Sequence, residues 1–221
     1  EFKKIINDFK PDVAIGFGGY VSGPVIRTAH KLGVKTVIHE QNAFPGVTNK
    51  ALAKLVDKVM LTVEDAKKHL QCKNEPTVTG LPVRGEMLRA DRDISRAKMG
   101  ISDSKKLILS MGGSLGAKPV NDAMLGLILN KYKDNDCVFL HATGKGGEWF
   151  AEELRKQGVD LEANPHVRVV EYIDIPKCLP AADLVVCRSG ASTLSELQAL
   201  GKPSILIPSP YVTENHQYHN A

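Results

Sequence analysis

Short runs of Val, Ile and Leu alternate along this chain with stretches of helical spacing, and this alternation limits the fold more than any other feature. Nine such runs are strand candidates, and they cover residues 12–17, 35–40, 58–62, 76–80, 106–112, 137–144, 167–173, 183–189 and 203–208. Many are apolar at successive positions instead of at alternate ones, which is typical of strands covered on both faces. The chain is therefore predicted to be an α/β protein with parallel sheets.

A polar and highly charged stretch interrupts this rhythm between the fourth and fifth strand candidates. With 221 residues, the chain has room for one large domain or two small ones. We place a boundary near residues 84–91, which gives two Rossmann-like domains, residues 1–88 and residues 89–221, with a cleft between them. Ligands of such sheets bind outside the carboxyl ends of the strands.

Charge and cysteine spacing exclude several classes of protein. A net charge of +4 is too small for the dense basic surface of a dedicated nucleic-acid binder, and no apolar run reaches the length of a membrane span. The four cysteines are far apart and form no CxxC pair, which argues against a zinc site and a disulfide framework. His216 and His219 lie three residues apart without a third ligand, so no metal site and no cofactor are expected.

Four glycine-rich turns follow strand candidates and open helices, at residues 16–24, 111–117, 143–147 and 188–193. The first N–H groups of a helix are unpaired and its dipole is positive at that end, so such a turn suits a phosphate. The alternative is that the glycines only make tight turns between strand and helix. None of the four matches the dinucleotide or P-loop pattern.

The stretch RSGASTLSEL, residues 188–197, is the most informative of these turns. Ser192 and Thr193 add hydroxyl groups to a helix N-terminus, and Glu196 follows one turn later. A carboxylate at this place suits a ribose diol with the pyrophosphate on the helix N-terminus, as in dinucleotide sites. The alternative is a capping box in which Glu196 bonds to the backbone. Asn42, after the second strand candidate, suits sugar hydroxyls or belongs to a solvated turn.

The first residues form an apolar stripe at helical spacing, made by Phe2, Ile5, Ile6 and Phe9, with three lysines beside it. Residues 1–84 carry 13 Lys and Arg against 8 Asp and Glu, so this part of the chain is the one expected to face an anionic surface. Such a helix can lie in a membrane interface, or its stripe can be the core-facing side of a surface helix.

Six strings in order and spacing carry a recognisable pattern: GGYVSGP, HEQNAFPGVTNK, GLPVR, GGSLGAKPVN, CRSGASTLSE and NHQYHNA. Together they closely resemble the MurG family, the bacterial N-acetylglucosaminyltransferases of peptidoglycan synthesis. The resemblance implies a two-domain GT-B fold and no cofactor. It also implies transfer of N-acetylglucosamine from UDP-N-acetylglucosamine to the C4 hydroxyl of the muramoyl sugar of lipid I, with inversion, at the cytoplasmic face of the cell membrane.

The resemblance also implies roles for individual residues. The UDP pyrophosphate is expected on Ser114 and on the start of the helix that carries Ala191, Ser192, Thr193, Leu194, Ser195 and Glu196. Glu196 would bind the ribose, and Ile173, at the end of its strand, would present backbone groups to the uracil. Gln217 would contact the transferred sugar with Asn220 nearby, and Asn42, Arg84 and Tyr20 would line the acceptor side.

No residue of this chain is expected to be the catalytic base. In the family, a histidine proposed for that task ends an N-terminal glycine-rich segment that has no counterpart here, and the family's C-terminal helices are also missing. The chain is therefore expected to be a fragment with weak or no activity alone. His216 stands where some members have glutamine, which leaves its sugar contact open. Two alternatives remain: a related GT-B transferase with another lipid acceptor, and a non-catalytic nucleotide-sugar-binding subunit.

Overall fold

The computed structural model describes the backbone of residues 1–221 and the side chains of all of them except Thr213. The strands are β1 (Val13–Gly16), β2 (Lys35–Glu40), β3 (Lys58–Leu61), β4 (Thr77–Val78), β5 (Lys106–Met111), β6 (Cys137–Ala142), β7 (Val167–Val170), β8 (Leu184–Cys187) and β9 (Ser204–Leu206). The α-helices are α1 (Phe2–Phe9), α2 (Gly19–Lys31), α3 (Val47–Leu52), α4 (Gly85–Leu88), α5 (Arg92–Met99), α6 (Lys118–Lys131), α7 (Trp149–Lys156), α8 (Ile175–Cys178), α9 (Ala191–Ala199) and α10 (His216–Asn220). Each of the nine predicted strands is present, although β7 ends at Val170 instead of at residue 173, and every strand pair in the sheets is parallel.

Contacts divide the chain into two compact units. The first contains residues 1–82, 190–192 and 209–221, and the second contains residues 83–189 and 193–208. The break after Pro82 lies near the boundary drawn from the sequence. Residues 209–221, however, group with the first unit instead of the second, because their side chains bond to the loop that follows β2.

The polar and charged stretch between β4 and β5 contains two helices, α4 and α5. Met87 of α4 is fully buried, which anchors this short helix in the second unit. Asp91 caps α5 by accepting a hydrogen bond from the Ile94 backbone N–H at 2.9 Å, and Gly100 ends the helix at φ +64°. These are standard start and stop signals of a helix.

The first unit is built on a four-stranded sheet in the order β1-β2-β3-β4. Helices α2 and α3 contribute Ile26 and Leu52 to its buried core, which also contains Ile38 of β2 and Leu61 of β3. On α1, Ile6 is buried while Phe2, Ile5 and Phe9 are exposed. The apolar stripe predicted for this helix is therefore mostly at the surface. No helix in the described part of the chain is long and apolar enough to cross a bilayer.

The second unit is built on a five-stranded sheet in the order β7-β6-β5-β8-β9. Successive residues of its strands belong to two different buried clusters: Leu140 packs in one and Phe139 in the other. Neighbouring side chains of a strand point to opposite faces, so both faces of this sheet are covered. This burial explains why the strand candidates read as continuous apolar runs.

Candidate functional site

The strand order of the second unit creates a crevice between β5 and β8. From β5 the chain moves outward through β6 to β7, and it then returns to β8 and continues outward to β9. The connections leave β5 and β8 in opposite directions, so the loops that follow these two strands separate at the carboxyl edge. Ser114 lies exposed in the loop after β5, and the loop after β8 leads into α9. Both expected phosphate-binding segments therefore flank this switch point.

The turn after β6 supports the loop that carries Ser114. The Lys145 N–H donates to the Ser114 carbonyl oxygen at 3.1 Å, and the Gly146 N–H donates to the Leu115 carbonyl oxygen at 3.1 Å. A Cβ on Gly144, whose φ is +70°, would lie 2.1 Å from the Gly116 nitrogen. These N–H groups are therefore used in packing, and for the turn at residues 143–147 the tight-turn interpretation is the one the structure supports.

Glu196 lies on α9 and accepts a hydrogen bond from Arg84 Nη2 at 2.8 Å. The Glu196 side chain is 13% exposed, whereas that of Arg84 is 49% exposed. Arg84 belongs to the second unit, whereas Asn42 and Tyr20 belong to the first. The reason is local: α4 begins directly after Arg84 and is anchored in this unit by Met87.

Ile173 and Leu194 pack against the same buried cluster of the second unit. Ile173 was expected at the end of its strand, but β7 ends at Val170 and Ile173 lies in the loop before α8. After this loop, the Lys177 N–H donates to the Asp174 carbonyl oxygen at the start of α8. A hydrogen bond from Lys177 lowers the pKa of the Asp174 carboxyl group, and the charge of Arg84 adds a smaller effect in the same direction.

The other residues expected at the pyrophosphate belong to the first turns of α9. Ala191 and Ser192 are its first two positions, followed by Thr193, and the first turn carries no acidic residue. Ser192 is exposed, while Thr193 and Ser195 are half-buried. A helix of this kind has a positive dipole end that no nearby carboxylate of the first turn offsets.

The first unit contains a pocket of about 480 Å³ at the carboxyl ends of β1 and β2. It is lined by the start of α2, the loop at residues 41–46 and the start of α3. Tyr20 stands at its border with 89% of its surface exposed, and Asn42 and His216 also line it. Two of the residues expected on the acceptor side, Tyr20 and Asn42, therefore share this pocket.

The N-terminus of α2 forms one wall of the pocket. Gly18 and Gly19 lie in the left-handed region at φ +83° and +74°, which favours glycine. The helix runs from Gly19 to Lys31 and has no acidic residue in its first turn and no side-chain cap. Its N–H groups and dipole thus present a partial positive charge suited to an anion.

Asn42, Gln217 and Asn220 are connected within the first unit. Asn220 Nδ2 donates to Asn42 Oδ1 at 3.0 Å, and the Ala43 N–H donates to Asn220 Oδ1 at 2.9 Å. The Ser209 N–H donates to Gln217 Oε1 at 2.8 Å. The helix α10 is therefore bound to the loop after β2, a link across the sequence that spacing alone does not reveal.

Two groups near this loop were missed by sequence reasoning. Glu40 is 2% exposed and lies at the end of β2, where an acidic residue closing an apolar run was the available signal. Phe44 stacks on His219 with ring centroids 4.9 Å apart, and Lys50 Nζ lies 3.9 Å from its centroid. Among the side chains that the structure describes, no three potential ligands gather to form a metal site.

Two domain families match this chain. The description "Glycosyltransferase family 28 C-terminal domain" matches residues 107–221, and "Glycosyltransferase family 28 N-terminal domain" matches residues 1–61. The fold is shared with a crystal structure of MurG from Acinetobacter baumannii, at a TM-score of 0.77 and 28% identity over 99% of this chain and 58% of that one. A Staphylococcus aureus MnaA–UDP structure, at a TM-score of 0.66 and 17% identity over 94% of this chain and 61% of that one, shares the fold alone.

Relatives of known name cover the whole chain. It is 47% identical to a protein of Acetivibrio thermocellus and 48% identical to one of Desulforamulus reducens, over 100% and 98% of this chain. Both are named UDP-N-acetylglucosamine--N-acetylmuramyl-(pentapeptide) pyrophosphoryl-undecaprenol N-acetylglucosamine transferase. The chain spans 59% of the length of each of these relatives.

Proposed function

The chain belongs to glycosyltransferase family 28, and from this premise we propose that it acts in the transfer of N-acetylglucosamine from UDP-N-acetylglucosamine to undecaprenyl-pyrophosphoryl-muramoyl-pentapeptide, lipid I. The accepting group is the C4 hydroxyl of the muramoyl sugar, and the product is lipid II. The observation that carries this proposal is the 47% identity over the whole chain to a transferase of that name. The identity of both sugars rests on that name, while the nucleotide is supported by the chemistry of the second unit.

In the second unit, we propose that the donor nucleotide binds at the switch point. Ser114 and the first turns of α9 bind the pyrophosphate, Glu196 accepts the ribose hydroxyls, and the backbone at Ile173 contacts the uracil. A carboxylate close to a diphosphate would repel it, but Arg84 at 2.8 Å offsets the charge of Glu196. The half-exposed guanidinium also supplies positive charge for the departing UDP, as an inverting transfer requires.

In the first unit, we propose that the pocket binds the acceptor. The N-terminus of α2 offers partial positive charge to the diphosphate of a lipid-linked sugar, and Tyr20 and Asn42 border the same space. Gln217, with Asn220 nearby, contacts the hydroxyls of the transferred sugar. His39 is not assigned as the base, because its Nε2 lies 2.9 Å from the Gly80 carbonyl oxygen and its Nδ1 lies 3.3 Å from Gln41 Nε2.

We further propose that α1 contacts the cytoplasmic face of the cell membrane peripherally. Phe2, Ile5 and Phe9 are exposed on this helix, and lysines 3, 4 and 10 accompany them. Exposed aromatic and aliphatic side chains flanked by lysines suit an interface of anionic lipid. Sedimentation with anionic vesicles tests this: Phe9→Ser should reduce the bound fraction, whereas Asn7→Ser on the same helix should not.

Calorimetric titration of the chain with UDP-N-acetylglucosamine, UDP-glucose and GDP-mannose tests the donor site. We expect binding of the N-acetylglucosamine donor and a loss of about tenfold or more in affinity on Glu196→Ala, because the ribose hydroxyls lose their acceptor. Glu152→Ala, on the exposed side of α7, is the matched control and should bind as the parent does. Equal affinity in the parent and in Glu196→Ala would contradict the assigned role of Glu196.

A further inference from the structure

Gln41 follows β2 directly, and its side-chain amide is held by His39. Gln41 Nε2 donates to the His39 carbonyl oxygen at 2.9 Å and lies 3.3 Å from His39 Nδ1. A carbonyl oxygen accepts hydrogen bonds and donates none, so the NH₂ end of the amide must face His39. The reverse orientation would place two oxygens against each other. The backbone of His39 therefore fixes the orientation of the Gln41 amide.

The ring of His39 agrees with this orientation. Its Nε2 lies 2.9 Å from the Gly80 carbonyl oxygen, so Nε2 carries the hydrogen and donates it. In the neutral ring, Nδ1 is then the acceptor that the NH₂ group of Gln41 requires. His39 is 3% exposed, so solvent hardly competes for these bonds. The carbonyl oxygens of Gly80 and His39 thus fix the tautomer of the ring and the orientation of the amide together.

This orientation leaves Gln41 Oε1 at the end of the amide that faces away from His39. Gln41 is half-buried and lines the pocket of the first unit, and Oε1 accepts no hydrogen bond from any residue that the structure describes. The buried side-chain polar atoms without a partner, such as Asn49 Oδ1, do not include it, so solvent reaches it. The oxygens of the neighbouring side chains are engaged, because Glu40 accepts from four amide N–H groups and Asn42 Oδ1 accepts from α10. Gln41 Oε1 is therefore an acceptor that a ligand in the pocket can reach.

Resting on the proposed function of this pocket, we propose that Gln41 is a specificity-determining residue whose Oε1 accepts a hydrogen bond from a hydroxyl or N–H group of the muramoyl sugar. An ionised diphosphate offers oxygens and no donor, so this oxygen disfavours the diphosphate and favours the sugar. The anionic portion of the ligand is left to the N-terminus of α2.

An exposed aromatic ring beside this acceptor supports the choice of a sugar. Phe17 lines the same pocket and is 60% exposed, and its ring centroid lies 5.9 Å from that of His39. Ligand pockets combine apolar and aromatic surface with a few oriented polar groups. A sugar has apolar C–H faces and hydroxyl edges, so it matches Phe17 and Gln41 together, whereas a phosphate matches neither.

The variant Gln41→Leu removes the oxygen and keeps a side chain of similar size. It should weaken binding of a sugar-bearing probe about tenfold, because one donor of the ligand then lacks its acceptor. Gln71→Leu, on the exposed surface of the same unit, is the matched control and should bind as the parent does.

Two probes separate the sugar portion of the ligand from the anion. One is a water-soluble analogue of lipid I with a short prenyl chain, and the other is the same prenyl diphosphate without sugar. The diphosphate alone should bind equally to the parent and to Gln41→Leu, because it has no donor for Oε1. Equal loss for both probes would overturn the proposal, because it would indicate a damaged pocket and not a missing acceptor.

A second measurement tests the orientation of the amide in the parent chain itself, whether or not the variant folds. In ¹⁵N-labelled protein, His39 Nε2 should carry the ring hydrogen and Nδ1 should not. The side-chain NH₂ hydrogens of Gln41 should exchange with solvent at least tenfold more slowly than those of Gln71, which is exposed. A hydrogen on Nδ1, or exchange as fast as that of Gln71, would overturn the proposal.

Failure of the proposed function would give a different result from failure of this assignment. A parent chain that did not bind the sugar-bearing probe, with the His39 tautomer and the exchange rates as expected, would contradict the proposed function of the pocket. A parent chain that bound this probe no more tightly than Gln41→Leu does would overturn the role of Gln41 alone.

Discussion

Two arginine–carboxylate pairs of the second unit lie at opposite edges of its sheet, and they differ in how completely they are closed. At the amino edge, Arg96 is fully buried and donates to Asp183 Oδ2 at 3.0 Å and to three backbone carbonyl oxygens. At the carboxyl edge, Arg84 donates to Glu196 and keeps half of its side chain exposed. The Arg96–Asp183 pair thus encloses its arginine, whereas the Arg84–Glu196 pair leaves its arginine half exposed, which suits the ligand-binding role proposed for it.

The surroundings of the two carboxylates reinforce this contrast. Asp183 accepts from Arg92, from Arg96 and from the Leu107 N–H. Burial opposes ionisation of this group, but these bonds and charges hold the pKa of Asp183 below its ordinary value. Asp183 lies just before β8 and bonds to α5 and to the start of β5. This network therefore holds α5 against the sheet.

The largest effect on stability is expected from removal of Arg96, the buried arginine of the Arg96–Asp183 pair. Arg96→Ala should lower the free energy of unfolding by about 3–5 kcal/mol, because it removes the buried guanidinium that donates to Asp183 and to three backbone carbonyl oxygens. Urea denaturation followed by circular dichroism measures the change. Lys98→Ala, exposed on the same helix, is the control and should stay within about 0.5 kcal/mol of the parent. A cost below about 1 kcal/mol for Arg96→Ala would remove the distinction between the two edges.

The pH dependence of stability tests the role of His141, a buried residue of β6 in the interior of the same sheet. Burial lowers the pKa of His141 from 6.5 to about 4. The unfolded chain takes up this proton near pH 6.5 and the folded chain only near pH 4, so stability is full above pH 6.5 and declines as the pH falls toward 4. The difference corresponds to about 3 kcal/mol.

His141→Gln is the comparison for this pH dependence. Denaturation of both proteins between pH 7 and pH 4 should show a smaller decline for the variant, because glutamine does not titrate. Parallel curves for parent and variant would mean that His141 does not drive the decline.

The support of the Ser114 loop gives the next effect. Gly144→Ala should cost about 2 kcal/mol or more, because the residue has φ +70° and its Cβ would lie 2.1 Å from the Gly116 nitrogen. Gly126→Ala is the matched control, because Gly126 lies exposed within α6 with nothing within 4 Å of a Cβ. That control should stabilise the chain by about 0.5–1 kcal/mol. Melting temperatures of the two variants on the same side of the parent would contradict this contrast.

The smallest effect on stability should come from removal of Arg84, the half-exposed arginine of the Arg84–Glu196 pair. Arg84→Ala is expected to change the free energy of unfolding by less than about 1 kcal/mol, as for other partly exposed ion pairs. It should nevertheless weaken UDP binding about tenfold, because the charge of Glu196 is then no longer offset beside the diphosphate. Chemical denaturation and calorimetry on one preparation separate the two quantities. A large loss of stability with unchanged UDP affinity would place this pair with the structural one.

Much of the fold was accessible from the sequence because parallel strands buried on both faces leave an unmistakable apolar run. The strands β5, β6 and β8 fit this description, whereas the two residues of β4 are exposed, and the capping signals of α5 at Asp91 and Gly100 mark that helix as observed. The end of β7 was wrong because residues 171–173 keep strand-like composition. In the structure the pairing ends at Val170, opposite Ala142, which is the last residue of β6, and the composition of one segment does not encode where its partner strand ends.

The sequence pattern identified two segments of the candidate site, the turn at residues 188–197 and the loop at residues 111–117. The strand order of the sheet places both at one switch point. The partner of Glu196 could not be predicted, since Arg84 lies more than a hundred residues earlier in the chain. Glu40 escaped notice for the same kind of reason. Glu40 accepts hydrogen bonds from four amide groups of Asn42, Gly46 and Asn49, and these groups converge only after the loop has closed.

The sequence by itself determined the class of fold, the glycine turns at strand ends and the family, because these depend on local periodicity and on residue order. Tertiary structure alone decided which polar groups meet: Arg84 with Glu196, Asn220 with Asn42, and the amides around Glu40. It also decided that residues 209–221 belong with the first unit. The physical reason is that hydrogen bonds require approach to about 3 Å, and the path of the whole chain determines which distant groups reach that distance.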